Sequence, residues 1–529
     1  MSRSRGRDAR TDSRFRSPSP GVVVVIAAFV AVRIAYWVTG GGFSTTALRD
    51  SWQLLDLHQL VAHPFQNVWL LHTQPPLFNL FVGTVLRWSP LSGALTFQIV
   101  YFLLALILVV ALRALLVELG FAAFAATAGA VVVACDPGLL SYENAIIYEL
   151  PVAALLVVSG LLCARYARTR RARTLTGLVT VMTVIVMTRA LLHPVWLGAM
   201  VALIVIAVRP RLGVLRIAAI VAIPVFVVGG WIVKNQVEFG EPNLSSWLGM
   251  NLARGVIAPM PKQDIGQLIR QGTLSRAARV PAFSPYSAYV PTVGRCQTDR
   301  TEPVLRALRK QNGQSNFDAV CFLRVYRDGQ RNAFAAIRER PGAYLAGRRA
   351  SATAHFWFEL GPGLEPFRDN PVLRGLKRAY DVPMLSVSVA IHDRDWTNRL
   401  IPSDPSPAIP LSITLVLATA FVLGRAGFGA VRLVRRRART GDLVWTYLGC
   451  TVAFVTVVSI ATEYGENSRF RFLVDPILIG ALVAAVVDGA TRLRPPRRDG
   501  RSRRVGRIIA TATPDATRRT PASGANPCP

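Results

Sequence analysis

A stretch near the N-terminus, LRDSWQLLDLHQLVAHPFQNVWLLHTQPPLFN, concentrates side chains that could do acid–base or metal chemistry. It holds two aspartates, Asp50 and Asp56, and three of the six histidines of the chain, His58, His63 and His72. A carboxylate can act as a general base, and imidazole is a good zinc ligand. The aspartates are six residues apart, so one helix would point them in different directions. The histidine spacings of five and nine match no common zinc pattern, so the stretch favours a carboxylate site over a zinc site.

The same stretch also suits purely structural roles. Asp50 is a good N-cap for a helix that follows it, and position alone favours that role. The apolar residues of 52–57 form a short patch that suits a helix lying on a bilayer surface. Pro64 would end that helix, and the Pro-Pro step at 75–76 would begin a second, amphipathic helix over 77–88.

The composition of the chain indicates a membrane protein. Of its 529 residues, 52% are hydrophobic and only 17% are charged, which is too apolar for an ordinary soluble protein. The net charge of +31 comes almost entirely from arginines, in clusters that adjoin apolar runs. That arrangement follows the positive-inside pattern of membrane proteins. A nucleic-acid surface would mix aromatic side chains with the basic ones, and these clusters hold almost none, so we expect no nucleic-acid partner.

Ten apolar segments are candidates for crossing a bilayer as helices, since a crossing takes about 20 residues. They are 21–39, 93–117, 119–135, 146–166, 174–188, 192–208, 213–233, 408–427, 443–461 and 473–490. The fifth and sixth are short, but counting them separately keeps every later arginine cluster on the same side as the cluster at 165–173. The sequence thus predicts an all-α polytopic protein of the plasma (inner) membrane, with about ten transmembrane helices and both termini in the cytoplasm.

The loops divide the chain into five parts. A basic arm (1–20) and a basic tail (492–529) lack apolar periodicity and are predicted to be disordered in the cytoplasm. The N-terminal membrane core (21–233) holds seven spans and a long first outer loop (40–92). The C-terminal membrane core (408–491) holds three spans.

The fifth part, 234–407, is long enough for a small extracytoplasmic domain. Apolar residues recur at helical spacing on both sides of Pro341, which predicts two helices divided by that proline. We expect a mostly helical cap. Cys296 and Cys321 would form a disulfide there in an oxidising compartment, and free thiols are the alternative.

A second outer loop, CDPGLLSYENAIIYELP, carries only acidic charges. They include Glu143 and also Glu149, which lies at the mouth of a span, where an ionisable group is costly and therefore a candidate functional residue. A carboxylate that reaches up to the membrane surface is the structural alternative.

A third outer loop, TEYGENSRFRFLVDP, places Arg469 and Arg471 on the outer side, against the positive-inside trend. Arg189 and His193, in the short hairpin between two spans, add a similar basic spot. The planar guanidinium suits phosphate oxygens, so a lipid phosphate is one partner for these cations. Anchoring to ordinary headgroups or pairing with a nearby glutamate is the other.

Three segments resemble motifs of bacterial GT-C glycosyltransferases, the polyprenyl-phosphate-sugar enzymes that include protein-mannosyltransferase relatives (family 39-like). WIVKNQVEFGEPNLSSWLGMNLARG resembles the segment after a mid-chain span of that family. Its matching residues are Trp231, Lys234, Asn235, Phe239, Gly240, Gly249 and Asn251. ENSRFRFLVDP resembles the Arg-aromatic-Arg run that opens a late span. HTQPPLFNL resembles the Pro-Pro-Leu step after the first outer loop, and Asp50 occupies the place of the acidic residue of that loop.

The resemblance implies an inverting membrane glycosyltransferase that moves a sugar from a polyprenyl phosphate to a hydroxyl of a glycan, lipid or protein acceptor on the outer face. It implies Asp50 as the general base, with Asp56 as the second candidate. Ser51 stands where many relatives have a second acidic residue, which weakens a metal site there, and a divalent cation is the one cofactor left open. The expected substrate- and phosphate-binding residues are Glu143, Arg189, His193, Lys234, Asn235, Arg469, Arg471, His72 and Gln74.

Two functions of other classes fit the same composition. A transporter or flippase for a lipid-linked saccharide would also span the membrane many times, but transporters often carry internal repeats and charges near mid-membrane. We find no clear repeat, and the candidate charges lie at the outer edge. A scaffold for envelope assembly would need no carboxylate at all.

Overall fold

The computed structural model describes residues 19–208, 213–357, 367, 369–390 and 408–493. Their regular structure is helical apart from one pair of short strands. The expected all-α class is confirmed, and several helices are long and apolar enough to make this a multi-pass membrane protein. The expected terminal arm and most of the tail lie outside the described residues.

The chain begins with an apolar helix and then forms short helices in the first loop. These are α1 (Pro20–Val38), α2 (Thr46–Asp50), α3 (Leu57–Ala62), α4 (Pro64–Trp69) and α5 (Pro76–Trp88). Prolines begin α4 and α5, because proline has a φ suited to the first helical turn and lacks an N–H that would go unpaired there. The helix expected over 77–88 is confirmed.

The apolar patch between α2 and α3 differs from its prediction. It is not a helix, and Leu54 and Leu55 are fully buried inside the protein. Trp52 packs against the rings of Phe283 and Phe317, with both pairs of centroids 5.6 Å apart. The predicted surface helix over this patch is therefore wrong, because the long segment after residue 234 supplies aromatic partners that bury it.

Seven helices follow in the N-terminal membrane part: α6 (Gly93–Glu118), α7 (Ala123–Ala134), α8 (Pro137–Glu143), α9 (Glu149–Thr169), α10 (Ala172–Thr188), α11 (Pro194–Val208) and α12 (Val214–Phe239). Helix α9 is the most deeply buried of the long apolar helices and packs against α6 and α10. Its first residue is Glu149, so the centre of this bundle positions a carboxylate at a helix start.

The long hydrophilic segment is mostly helical, as expected. It contains α13 (Leu248–Val256), α14 (Lys262–Arg270), α15 (Tyr286–Val293), α16 (Pro303–Arg306), α17 (Phe322–Glu339), α18 (Pro341–His355) and α19 (Pro371–Asp381), with short 3₁₀ turns at Arg276–Arg279 and Val382–Met384. The division at Pro341 is confirmed. Strands β1 (Ser386–Ala390) and β2 (Ala408–Ser412) pair antiparallel, with Ser386 opposite Ser412, a feature that the sequence did not predict.

Cys296 and Cys321 form a disulfide, with their Cα atoms 5.6 Å apart. The bond joins the chain before α16 to the start of α17, so it ties two parts of the hydrophilic segment together. The disulfide alternative left open by the sequence is therefore the one that the structure adopts.

Four helices complete the described chain: α20 (Ile413–Val434), α21 (Thr440–Thr462), α22 (Asn467–Arg471) and α23 (Asp475–Leu493). Within the described residues, seven helices are long and apolar enough to cross a membrane: α1, α6, α9, α12, α20, α21 and α23. The number is eight if α7 and α8, bent by 57° at their junction, form one broken span. Helices α10 and α11 are apolar but shorter.

Two predicted spans differ in detail from the observed helices. The segment expected at 119–135 forms a helix only over its 12 residues Ala123–Ala134, too few to cross alone, and Pro137 begins α8 in a new direction. The segment expected at 408–427 begins as β2, and its helix starts only at Ile413, where Ser412 accepts a hydrogen bond from the Leu415 N–H as an N-cap.

The described residues up to Asp488 belong to one compact unit, in which the hydrophilic segment packs on the apolar helices. Arg348 of α18, for example, donates hydrogen bonds to the carbonyls of Ile460 (2.6 Å) and Glu463 (3.1 Å) at the end of α21. A second unit, Gly489–Pro529, is described only over the last residues of α23.

Candidate functional site

A buried charge cluster joins four segments that are far apart in sequence. Arg469 of α22 donates from Nε to Glu149 Oε1 (2.6 Å) at the start of α9. It also donates to Glu466 Oε2 (3.2 Å) and to Gln53 Oε1 (3.2 Å) of the first loop. Arg189, after α10, donates to the same oxygen of Glu149. We call these five residues the Arg469 cluster.

Aromatic rings enclose the two guanidinium groups. Arg189 lies over Tyr148 and Phe470, 4.6 and 4.5 Å from the ring centroids, and Arg469 lies 5.5 Å from the centroid of Tyr148. Such contacts favour a cation most where water is excluded, and here Arg189 and Glu149 are almost fully buried. The site therefore combines charge with low solvent access, the condition under which electrostatic effects are strongest.

The cluster is not fully satisfied by the protein. Glu149 Oε2 and Arg189 Nη2 are both buried and have no hydrogen-bond partner among the described residues. Buried polar atoms in folded proteins are nearly always paired, so an unpaired donor and an unpaired acceptor on two residues that form an ion pair need an explanation. A ligand that offers both an acceptor and a donor, such as a phosphate ester bearing a sugar hydroxyl, would satisfy both atoms.

A second group of charges extends the cluster. Arg254 of α13 lies 3.4 Å from Glu463 and 4.0 Å from Glu466. Desolvation raises the pKa of Glu463. For Glu466 desolvation also acts to raise the pKa, but Arg469, Arg254 and Arg189 together lower it below its ordinary value.

Arg469 itself stays charged in this setting. Burial acts to lower its pKa, but Glu149 first, followed by Tyr148 and Glu466, raises that pKa well above the ordinary value. A permanent cation in a buried position is what binding and stabilising an anion requires.

Asp50 lies in the first loop, which also supplies Gln53 to the cluster. It is exposed, it is the last residue of α2, and it lies three residues before Gln53. Its only described hydrogen bond is a long one of 3.4 Å from Gln314 Nε2. It does not cap a helix start, so the capping role considered for it from sequence is wrong.

Asp56, the second candidate base, has the structural role instead. It is the N-cap of α3 and accepts from the backbone N–H groups of His58 (3.0 Å) and Gln59 (3.4 Å). Its other oxygen accepts from the Gln311 N–H (2.6 Å). Both oxygens are therefore occupied by backbone donors, and this carboxylate is less available than Asp50.

A turn of the hydrophilic segment holds the loop that carries Asp50. Lys310 donates from Nζ to the carbonyls of Ser51 (3.1 Å) and Leu54 (2.6 Å), and Asn312 donates to the carbonyl of Arg49 (2.6 Å). Burial lowers the pKa of Lys310 to about 8. This contact is not predictable from local sequence patterns, because more than 250 residues separate its two sides.

Glu143 has a different environment from the one expected. Its carboxylate is buried against Arg33 of α1, which donates from Nε (3.0 and 3.3 Å) and from Nη2 (2.6 Å). Arg33 also donates to the carbonyl of Ala134. An arginine within an apolar span is costly and calls for a partner, so the sequence contained the signal for this pair. Neither Arg33 nor Glu143 has a described contact with the Arg469 cluster.

Arg471, two residues from Arg469, is occupied by the protein. It donates to Asp475 (2.8 and 3.2 Å) and to the carbonyls of His355 and Trp357. The structure therefore does not bring Arg471 to the site. The alternation of partners follows from the short helix α22, on which residues two apart face different directions.

Lys234 and Asn235 form structural contacts at the end of α12. Lys234 is buried, donates to the carbonyl of Leu71 (2.8 Å) and lies 3.7 Å from the centroid of a Trp231 ring. Asn235 donates to the carbonyl of Asn243 (2.7 Å). Neither residue contacts the Arg469 cluster.

His72 is fully buried between the first loop and the hydrophilic segment. Nε2 lies 3.0 Å from the carbonyl oxygen of Asp318 and Nδ1 lies 2.8 Å from Ser246 Oγ. Because a carbonyl only accepts, Nε2 carries the hydrogen and Nδ1 accepts from the hydroxyl. Burial lowers the pKa of His72, so the ring is neutral. The carboxylate of Asp318 accepts from the Thr73 hydroxyl (2.7 Å), and His72 contacts only the backbone carbonyl of Asp318. Ser246, His72 and Asp318 are therefore not arranged as a catalytic triad.

The remaining candidates are placed as follows. Gln74 is buried next to these contacts, and His193 is exposed, with Nδ1 accepting from the Val195 N–H (3.3 Å). His58 and His63 are exposed while His72 is buried. Within the described residues no three His, Cys, Asp or Glu side chains come together as metal ligands.

Two glycines of the motif after α12 have clear physical reasons. Gly240 ends α12 with φ of 68°, a left-handed conformation that favours glycine. A Cβ on Gly249 would lie 1.9 Å from the carbonyl oxygen of Tyr326, so α13 and α17 cross in contact there. Both glycines shape the support of the site.

No family model, curated protein or solved structure matches this chain.

Proposed function

We propose that this protein is an integral membrane glycosyltransferase that moves a sugar from a polyprenyl phosphate to an acceptor hydroxyl on the extracytoplasmic face. The observation that carries the proposal is the Arg469 cluster, in which buried Arg189 and partly buried Arg469 meet one carboxylate and leave a donor and an acceptor unpaired. The motif resemblance supports the same class. Neither observation selects a sugar.

The donor phosphate binds at the arginines of this cluster. Arg189 Nη2 is free to donate to a phosphate oxygen, and Arg469 can exchange its 3.2 Å contacts with Gln53 and Glu466 for stronger charge-assisted ones. As the bond from the anomeric carbon to the phosphate oxygen breaks, the leaving phosphate gains negative charge. Guanidinium groups fixed in a buried site stabilise that charge without reorganising.

Asp50 is the general base of the proposed reaction. The acceptor hydroxyl gives its proton to the carboxylate as its oxygen forms a bond to the anomeric carbon, and the lipid phosphate leaves from the opposite face. One displacement of this kind inverts the anomeric configuration. The exposure and the single long hydrogen bond of Asp50 leave its oxygens available for that proton.

Glu149 has a positioning role in the proposed reaction, and five other candidate residues have none. Glu149 orients both arginines and offers one free oxygen to a sugar hydroxyl. Glu143, Arg471, Lys234, Asn235 and His72 are bound by other residues of the protein, so we leave them out of the reaction.

The test is an assay with membranes that carry the protein and radiolabelled polyprenyl-phosphate sugars, with mannose and arabinose as the first two. Wild-type membranes should form a glycosylated product and release lipid phosphate. Asp50→Asn should lower the rate by about 10²–10⁴-fold with unchanged protein level, because a general base contributes that much. Asp299→Asn, which also removes an exposed aspartate, is the matched control and should keep the wild-type rate.

Two outcomes would reject the assignment. Full activity of the Asp50→Asn variant would show that Asp50 is not the general base. Movement of the intact lipid-linked sugar across the membrane, with no product formed, would make the protein a transporter.

A further inference from the structure

A half-open cavity of about 1790 Å³ lies between α13, α14, α17, α18 and the turn at Arg276–Arg279. Much of its wall is apolar, with Met250, Ile257, Met260, Ile265, Val280 and Val325 among the lining residues. No residue of the Arg469 cluster lines the cavity, and neither does Asp50. A cavity with an apolar wall of this size suits a lipid chain rather than a small polar ligand.

The charged side chains that line the cavity are all cationic. They are Lys262, Arg270, Arg279 and Arg349, and no aspartate or glutamate lines the cavity within the described residues. Asp264 lies on the same helix as two of these cations but is not part of the lining. Four positive charges without a counter-charge make a strong anion-attracting field in a concave site.

Some arginines of the segment are held in ion pairs, whereas, within the described residues, the four cations of the cavity are not. Arg254, Arg300, Arg327 and Arg331 each pair with a carboxylate. In contrast, the side chains of the four lining cations have no described ion pair or hydrogen bond within the resolved ranges. They are also exposed, so they can turn toward a ligand without breaking an existing contact.

The cavity adjoins the candidate site along α13. Met250 and Ala253 line it, and the next residue, Arg254, pairs with Glu463. On the other side Tyr464 lines it and donates its backbone N–H to Glu463 Oε1 (3.0 Å). Two lining residues, Ala253 and Tyr464, are therefore directly adjacent in sequence to Arg254 and Glu463, the charges that extend the Arg469 cluster.

We propose that this cavity binds a phosphate-bearing lipid, with its chain against the apolar wall and its head group among the four cations. Apolar burial and charge-assisted contacts act on different parts of the same ligand, so a ligand that lacks either part binds weakly. The inference goes beyond the proposed reaction, because it concerns binding and holds whether or not the chain transfers a sugar.

The experiment measures binding to the purified full-length protein in a neutral sugar detergent, by native mass spectrometry. The probes are farnesyl phosphate, farnesol, inorganic phosphate and phosphatidylglycerol. We expect saturable binding of farnesyl phosphate, and binding of farnesol and of inorganic phosphate that is weaker by about tenfold or more. Equal binding of farnesol or of inorganic phosphate would overturn the proposal.

The phosphatidylglycerol probe distinguishes two kinds of phosphate-bearing lipid, a bulk phospholipid and an isoprenyl phosphate. Binding as tight as that of farnesyl phosphate supports a site for bulk anionic phospholipid. Weaker binding supports a site for an isoprenyl phosphate.

Variants locate the site. Native mass spectra count bound molecules, so the double variant Arg279→Gln with Arg349→Gln should weaken binding of one farnesyl phosphate about tenfold or more and keep a molecule bound at the Arg469 cluster. Arg306→Gln with Arg338→Gln is the matched control, since both residues are exposed, have no described ion pair and do not line the cavity. Ala346→Trp, at an exposed lining position, should block the cavity without removing a charge. Wild-type binding by the first variant and by Ala346→Trp would overturn the proposal, as would an equal loss in the control.

The Asp50→Asn variant tests whether lipid binding in the cavity is independent of the proposed transfer reaction. The residue lies outside the cavity, so the variant should bind farnesyl phosphate as the wild type does even when transfer is lost. Loss of binding in this variant would contradict the assignment of the ligand to the cavity.

Discussion

At the scale of single residues, the contacts of each charged side chain separate supporting roles from chemical ones. Arg33 and Glu143 are exposed by only 1% and 3% and satisfy each other through two nitrogens and two oxygens. Glu149 is equally buried but retains a free oxygen. A saturated buried pair supports the fold, whereas an unsaturated one is a candidate for binding a ligand.

Glu143→Gln should destabilise the protein by about 3–5 kcal/mol, because the Arg33 guanidinium would keep its charge in a buried position without a counter-charge. Thermal unfolding in detergent measures the loss. The double variant Arg33→Met with Glu143→Met should recover much of it, since neither buried charge remains. If Glu143→Gln keeps wild-type stability and instead loses transfer activity, the pair is not structural.

His355 should make stability depend on pH. Burial, followed by the charge of Arg471, lowers the pKa of His355 from 6.5 to about 3. The unfolded chain binds a proton below about pH 6.5, whereas the folded chain does so only near pH 3. Stability is therefore lost as the pH falls through that window, by up to about 1.4 kcal/mol per pH unit.

His355→Gln tests this dependence, with melting temperatures recorded at pH 7 and pH 4.5. The variant should lose less stability on acidification than the wild type. His63→Gln removes an exposed histidine and serves as the control. Parallel losses in wild type and His355→Gln would show that other groups cause the acid sensitivity.

At the scale of helices, close crossings position the hydrophilic segment relative to the site. Helix α13 carries Arg254 toward Glu463 and Glu466, and it packs on α17 at Gly249. Gly329 of α17 lies at the same crossing, where its own Cβ would be 2.9 Å from the carbonyl oxygen of Gly249. The Gly-x-Asn step of the sequence therefore has a packing role as well as its motif resemblance.

Gly249→Ala should force α13 and α17 apart and destabilise the protein by about 1–3 kcal/mol, as overpacking of a tight contact does. Gly375→Ala, in α19, is the control, because nothing lies within 4 Å of the added Cβ. That control should be neutral or gain up to about 1 kcal/mol, since alanine favours helix. Equal melting temperatures of Gly249→Ala and the wild type would exclude the close crossing.

At the scale of the whole molecule, the disulfide and the arginine clusters predict opposite sides of the membrane. Disulfides form in oxidising compartments outside the cytoplasm, and clusters of arginine stay inside. Cys296 and Cys321 should therefore face outward, whereas Cys528, in the tail outside the described residues, should face inward.

A membrane-impermeant maleimide tests this sidedness in a background that lacks Cys135, Cys163 and Cys450. Intact cells should label Cys296 and Cys321 only after a reductant is added, and should not label Cys528. Permeabilised cells should label Cys528 without reductant. Labelling of Cys528 in intact cells would reverse the expected orientation and move the Arg469 cluster to the cytoplasmic face.

Local features of the chain were accessible from the sequence alone. Runs of apolar residues determine where the long helices form, and prolines determine where α5 and α18 begin. These signals lie within a few residues of each other, so periodicity and helix-start chemistry are enough to detect them. Arg189, Arg469 and Glu149 were also recognisable as candidates, since each is a charge in an unfavourable place.

The partners of those charges were decided only by the tertiary structure. Arg33 and Glu143 are 110 residues apart, and Arg469 and Glu149 are 320 residues apart. An ion pair depends on distance in space, and no local pattern records which distant carboxylate a guanidinium will meet. Asp475, four residues after Arg471, was a local signal for one of these pairs, but only the tertiary structure could show that Arg469 meets Glu149 and that two distant carbonyls also occupy Arg471.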